Sequence, residues 1–138
     1  MLHFILALVF LWSPGSHAAT GNGPGLMARV RAAETHLKNT SSKKARIQAF
    51  QTFLREIDHE NESIKNMPPA DTAERAYQLA LMSLSDAAHE INLADLSTDG
   101  CATSRARILM SFAPRQDPPT YLPDEVKRVL AMLEALCS

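Results

Sequence analysis

The chain carries almost no excess of charge. Fourteen Lys and Arg stand against fifteen Asp and Glu, a formal net of −1. A phosphate-binding surface needs uncompensated positive charge, so nucleic acid is not an expected partner. Charged residues make up 21% of the chain and hydrophobic ones 46%, which is a globular balance and not that of a disordered tail. Glycine is scarce, five in 138 residues, and no glycine-rich phosphate loop occurs. There is no internal repeat and no strand of convincing length. The Cys-x-x-Cys-His motif of haem attachment is missing, and His89-Glu90 lacks the second histidine of the zinc-protease helix. Only two cysteines occur, Cys101 and Cys137.

A long hydrophobic run is missing too. The longest, residues 4–12, is about nine residues, too short to span a bilayer as a helix. Ser13-Pro14-Gly15 breaks it, and Ser16-His17-Ala18 offers small residues at the −3 and −1 positions of a cleavage site. That is the pattern of a signal peptide, although no Lys or Arg precedes the run. Residues 1–18 are therefore expected to direct export, to the periplasm or the medium, with cleavage after Ala18. No cysteine follows closely enough for a lipid anchor, so no membrane attachment is expected afterwards. Residues 19–138 are left as one domain of about 120 residues, able to bury roughly two-thirds of its surface.

What that domain does have is helical periodicity. Ala73, Tyr77, Ala80, Leu84, Ala87, Ile91 and Ala94 recur at alternating steps of four and three, a heptad seam. Alanine occupies one row, and Tyr77, Leu84 and Ile91 the other. Small residues at one height let a neighbouring helix come close. This helix, expected over about 71–96, reads as the centre of the fold. An earlier helix over about 42–66 has the seam Ile47, Phe50, Leu54, Ile57, Asn61, Ile64. Its one polar member, Asn61, either sets register from inside the seam or is solvated at a frayed end. Shorter helices are expected over about 25–38 (Leu26, Val30, Ala33, Leu37), 102–112 and 123–136 (Val126, Leu130, Leu133, Cys137).

The boundaries have local causes. Asn39-Thr-Ser-Ser42 is a polar turn with an N-cap. Met67-Pro68-Pro69 ends the second helix, and Asp71-Thr-Ala-Glu74 reads as a capping-box variant. Ser97-Thr-Asp-Gly100 is expected to stop the third helix, with Gly100 left-handed in the turn. Four prolines lie in residues 113–123, a stiff connection that holds Tyr121 and Leu122. The fold class is all-α: an antiparallel bundle of four to five helices with a long central hairpin and one disulfide. Cys101 and Cys137 lie at ends that an antiparallel pair sets side by side, and two cysteines in an exported chain are expected to be bridged.

Charge is distributed unevenly along this frame. Residues 28–55 hold seven basic residues and one acid, residues 56–99 ten acids and two bases. Folding the hairpin is expected to bring Lys43, Lys44 and Arg46 near Glu90 and Asp95. Glu56, Asp58, Glu60 and Glu62 are poorly matched in that arrangement and are candidates for a basic partner. Leu79, Met82, Leu93 and Leu96 lie off the seam; the last two helices cover them, or they form an interaction surface. Tyr121 is a third candidate contact.

His36, His59 and His89 all point away from their seams, which disfavours an internal haem or metal centre. Neither a cofactor nor a metal is expected. Glu56, His59, Glu60 and Ser63 share one helix face, and Ser85, Asp86, His89 and Glu90 another. A single exposed helix surface lacks the pocket and convergent donors that catalysis needs, so these read as solvated faces. Asn39-Thr-Ser and Asn61-Glu-Ser match the glycosylation pattern, relevant only in a eukaryotic source. The expectation is thus a small exported bundle that binds an unidentified protein, as accessory subunit, inhibitor, immunity factor or chaperone-like adaptor. The alternative is a small-ligand or metal binder, with a hydrolase behind it.

Overall fold

A computed structural model describes residues 23–112 and 121–138. The signal segment 1–18, and Pro114, Pro118 and Pro119 of the connection, lie outside the described residues. Five helices follow one another: α1 Gly23–Asn39, α2 Lys43–Ile64, α3 Thr72–His89, α4 Thr98–Phe112 and α5 Asp124–Cys137. The fold is an all-α bundle, as the periodicity implies. No helix of the described residues is long and apolar enough to cross a membrane.

Local chemistry explains most of the boundaries. Ser42 caps α2, its hydroxyl accepting from the Ala45 N–H at 3.3 Å. Asp71 caps α3 by accepting from the Glu74 N–H at 2.8 Å. The Glu74 carboxylate reaches back to the Ala70 N–H at 2.7 Å, one residue earlier than in a regular capping box. Pro123 stands at the N-cap of α5, where its missing donor costs nothing.

Two expectations fail at the end of α3. The helix stops at His89 and not near Leu96, and α4 begins at Thr98, one turn before the expected start. Asn92 and Asp95 are the cause. The Asn92 side chain accepts from the Ala94 N–H, and Asp95 accepts from both the N–H and the hydroxyl of Ser97. Short polar side chains that take nearby backbone donors compete with the helix ladder. Those Ser97 bonds hold the Asp95 carboxyl below its usual range. Ser97 then caps α4 by accepting from the Gly100 N–H at 3.1 Å. Gly100 therefore lies inside α4 and is not a left-handed stop. Its reason for being glycine is space: a Cβ there would lie 2.3 Å from the Asp95 carbonyl oxygen.

The direction of each helix follows from three contacts. Arg46, early in α2, donates to the carbonyls of Thr40 and Ser41 and to a backbone oxygen of Ser138. The α1–α2 turn and the end of α5 are thus neighbours. A disulfide joins Cys101 to Cys137 with Cα atoms 6.3 Å apart, so the start of α4 lies there too. Successive helices alternate in direction, while α1 and α5 run side by side the same way. The opposite end holds the α2–α3 turn, the end of α4 and the start of α5.

The centre of the bundle is α5. It packs against α1, α2, α3 and α4. Val126, Leu130 and Leu133 are buried as expected, but so are Val129, Met132, Ala135 and Leu136. A helix apolar nearly all round is enclosed on several sides. The alanine row of α3 is correspondingly short. Ala87 is fully buried and Ala80 half-buried, whereas Ala73 and Ala94 are exposed and Ala94 is not helical. Leu81, Leu84 and Ala88 complete the buried face of α3 against α2, α5 and α1. In α2, Phe50, Phe53 and Ile57 are buried, and Phe53 was not on the expected seam. Asn61 is half-buried inside an unfrayed helix, its amide oxygen enclosed without a partner.

Candidate functional site

Asp58 and Glu60 lie on opposite flanks of the buried stripe of α2, because two residues advance about 200° around a helix. Each meets a different set of helices. Glu60 accepts a hydrogen bond from the Tyr77 hydroxyl of α3, and pairs with the Arg29 guanidinium of α1 at 2.7 Å. Arg29 also approaches the Tyr77 oxygen at 3.5 Å. Burial and the Glu60 carboxylate together push the Tyr77 phenol up to about 12. Burial pushes Arg29 down, but Glu60 outweighs it and holds the guanidinium above its ordinary value. The cluster is a neutral phenol and a closed ion pair that clamp α1, α2 and α3 together.

On the other flank, Asp58 accepts from the Ser85 hydroxyl at 2.9 Å. The His89 Nε2 lies 3.0 and 2.9 Å from the two Asp58 oxygens. A serine, a histidine and an aspartate thus meet, but the carboxylate lies between the other two. In a nucleophile triad the imidazole holds that middle place and takes the hydroxyl proton. Here the carboxylate takes both donors, tying α3 to α2. Asp86, the sequence's other candidate beside His89, stands in solvent on the outer face of α3.

Asp58 also lines an open groove with Gln51, Leu54, Arg55 and Leu93. Its floor is apolar, and Arg55 bonds along its own helix to the Thr52 hydroxyl. A second shallow recess lies over the disulfide, between Arg105 and Glu134. Among the described residues no three His, Cys, Asp or Glu side chains are arranged to hold a metal.

Comparisons of the chain with models of protein families, with curated proteins and with solved structures find no match. The chemistry of the site therefore rests on this geometry alone.

The remaining candidates are scattered. Glu56 is exposed, and Glu62 pairs with Lys65 at 2.6 Å on its own helix. The four acids of α2 consequently do not form one face: two point into helix junctions and two into solvent. His36 and His59 are exposed. The basic start of α2 reaches the expected neighbourhood but finds carbonyls there, Lys43 donating to Leu96 at 3.5 Å and Arg46 to the turns described above. Of the two sequons, Asn39 is exposed at the end of α1.

The off-seam residues of α3 divide. Leu96 is buried and Leu93 half-buried, while Leu79 and Met82 are 54% and 44% exposed. Met67 (54%), Met110 (73%) and Tyr121 (74%) also stand in solvent, all toward the end of the bundle away from the disulfide. Lys127 lies 6.0 Å over the Tyr121 ring, leaving much of the ring open. Sequence reasoning missed the buried Glu34 of α1. Its carboxylate pairs with Lys38 and, at 3.2 Å, with Arg128 of α5. Burial pushes that carboxyl up, but Lys38 and Arg128 prevail and hold it below its ordinary value. The local signal, an acid four residues before a lysine, is common on solvated helices. Only the arrival of α5 beside α1 encloses it.

Proposed function

We propose that this chain is a small exported helical-bundle protein that binds another protein, as an accessory subunit, inhibitor, immunity factor or chaperone-like adaptor. The observation that carries the reading is the set of large apolar side chains left in solvent at one end: Met67, Met110 and Tyr121. Single exposed hydrophobics are ordinary, but two methionines and an aromatic at the same end of the bundle fit an adaptable protein contact. Export rests on residues 1–18, and the disulfide is compatible with an oxidising compartment. A photocrosslinking side chain placed at Met110 or Tyr121, in the cells that produce the chain, is expected to capture the same protein from both positions. The same group at His36, exposed near the other end, is the control. No reproducible adduct, or equal capture from His36, refutes the reading.

The groove beside Asp58 supports a second reading, a small-ligand binder. Arg55 and Gln51 offer donors over the Leu54 and Leu93 floor. A thermal-shift screen of small carboxylates and divalent metals tests it. If no compound stabilises the wild type and loses its effect on Arg55→Ala, the second reading fails.

A further inference from the structure

The outer face of α3 has a pattern that the bundle itself does not use. Arg75, Leu79, Met82 and Asp86 recur at steps of four, three and four, so all four share one side of the helix. All four are exposed. Neither Arg75 nor Asp86 makes a side-chain hydrogen bond or ion pair with any described residue, although Glu74 and His89 of the same helix do. The stripe is therefore two apolar residues flanked by one free cation and one free anion, placed symmetrically about a point midway between Leu79 and Met82.

That symmetry is what a twofold contact requires, since an isologous interface sets residue i against j and j against i. Turn a second α3 antiparallel about that midpoint. Leu79 then faces Met82 of the second copy, and Arg75 faces Asp86, each twice. Thr72 falls opposite His89. A parallel pairing would set Arg75 on Arg75 and Asp86 on Asp86, which is repulsive. The charges thus select one orientation, and the apolar pair supplies the contact.

We propose that two copies of this chain associate through α3 against α3, antiparallel across a twofold axis between Leu79 and Met82. The contact goes beyond the proposed function and uses a different surface from Met110 and Tyr121, so either can fail without the other. One helix face from an 18-residue helix buries less than the roughly 1,200 Å² of a stable interface. The dimer is accordingly weak and forms in the upper micromolar range. Asp71 approaches Glu90 of the second copy at each rim, which weakens it further.

Sedimentation equilibrium of the oxidised chain, from about 5 μM to about 1 mM, tests this. The expected result is a monomer–dimer equilibrium that Leu79→Asp abolishes. Arg75→Asp alone and Asp86→Arg alone each bring like charges together and are expected to weaken association at least tenfold. The double variant Arg75→Asp/Asp86→Arg restores it, and so does an equimolar mixture of the two single variants. All four positions are exposed, and circular dichroism confirms that each variant folds. A wild type monomeric throughout overturns the proposal. So do single variants that dimerise like the wild type, or a double variant that stays monomeric.

Discussion

Replacing alanines of α3 by leucine, one at a time, separates a continuous alanine spine from the packing described here. Ala87 is fully buried where α3 meets its neighbours, and Ala73 and Ala94 are exposed. Leucine at 87 adds three carbon atoms to a closed core, and overpacking of that kind costs about 1–3 kcal/mol. Leucine at 73 or 94 projects into solvent and changes stability by about 0.5 kcal/mol or less. Helix propensity does not confuse the comparison: alanine and leucine are close on that scale at 73 and 87, and Ala94 lies outside the helix. In a domain of this size each kcal/mol moves Tm by roughly 3–5 °C. Ala87→Leu is therefore expected to lower Tm by about 3–15 °C, and Ala73→Leu and Ala94→Leu by no more than about 2 °C. Thermal and urea unfolding of the oxidised chain, followed by circular dichroism, reads this directly, provided the urea dependence keeps its slope. If Ala73→Leu costs as much as Ala87→Leu, α3 is a tightly apposed rod along its whole length. If Ala87→Leu is harmless, the position is not enclosed. Either result refutes the packing argument.

Two further outcomes are expected. The bridge between Cys101 and Cys137 spans 36 residues and contributes about 4 kcal/mol in the chain-entropy account, so Cys101→Ser/Cys137→Ser should unfold at clearly lower urea; two equivalents of alkylating label taken up without reductant would show that the bond is not formed. Glu34 keeps its proton less readily when folded than the ordinary 4.5, so its contribution is present above that pH and is lost as pH falls below it. Glu34→Gln is thus expected to cost about 1 kcal/mol at pH 7, discounted for the half-exposed Lys38 and Arg128, and progressively less as pH falls below 4.5; a cost that does not shrink with pH would show that the ion pairs are not the cause.

The functional proposals divide along the same line as the chemistry. The two polar clusters, Arg29–Glu60–Tyr77 and Ser85–Asp58–His89, each join side chains from different helices and satisfy them. They hold the bundle together. Among the described residues, large apolar side chains stand in solvent elsewhere, at Met110 and Tyr121, and Arg75 and Asp86 of α3 have no side-chain partner. Binding surfaces are therefore sought on the outside, in two separate places.

Much of this molecule was legible in the chain itself. Periodicity marked four of the five helices, and the fourth was expected only as a range, 102–112. Ser42, Asp71 and the Met67-Pro68-Pro69 break placed their ends, and Cys101 and Cys137 at opposite helix ends implied the bridge. The helices and their ends depend on hydrogen bonds and faces within a turn or two, so the local residues are sufficient to determine them; the bridge followed from two cysteines placed at helix ends. The bonds of Asn92 and Asp95 that end α3 early, and the close approach of Gly100 to Asp95, are local too, but the continuing heptad masked them. The tertiary structure alone decided that α5 and not α3 is the centre. It also turned Asp58 and Glu60 inward and enclosed Glu34. Each of these depends on which apolar face a distant helix covers, and α3 and α5 offer more than one. A heptad states that a face exists; only packing against residues far along the chain decides whether that face meets protein or water.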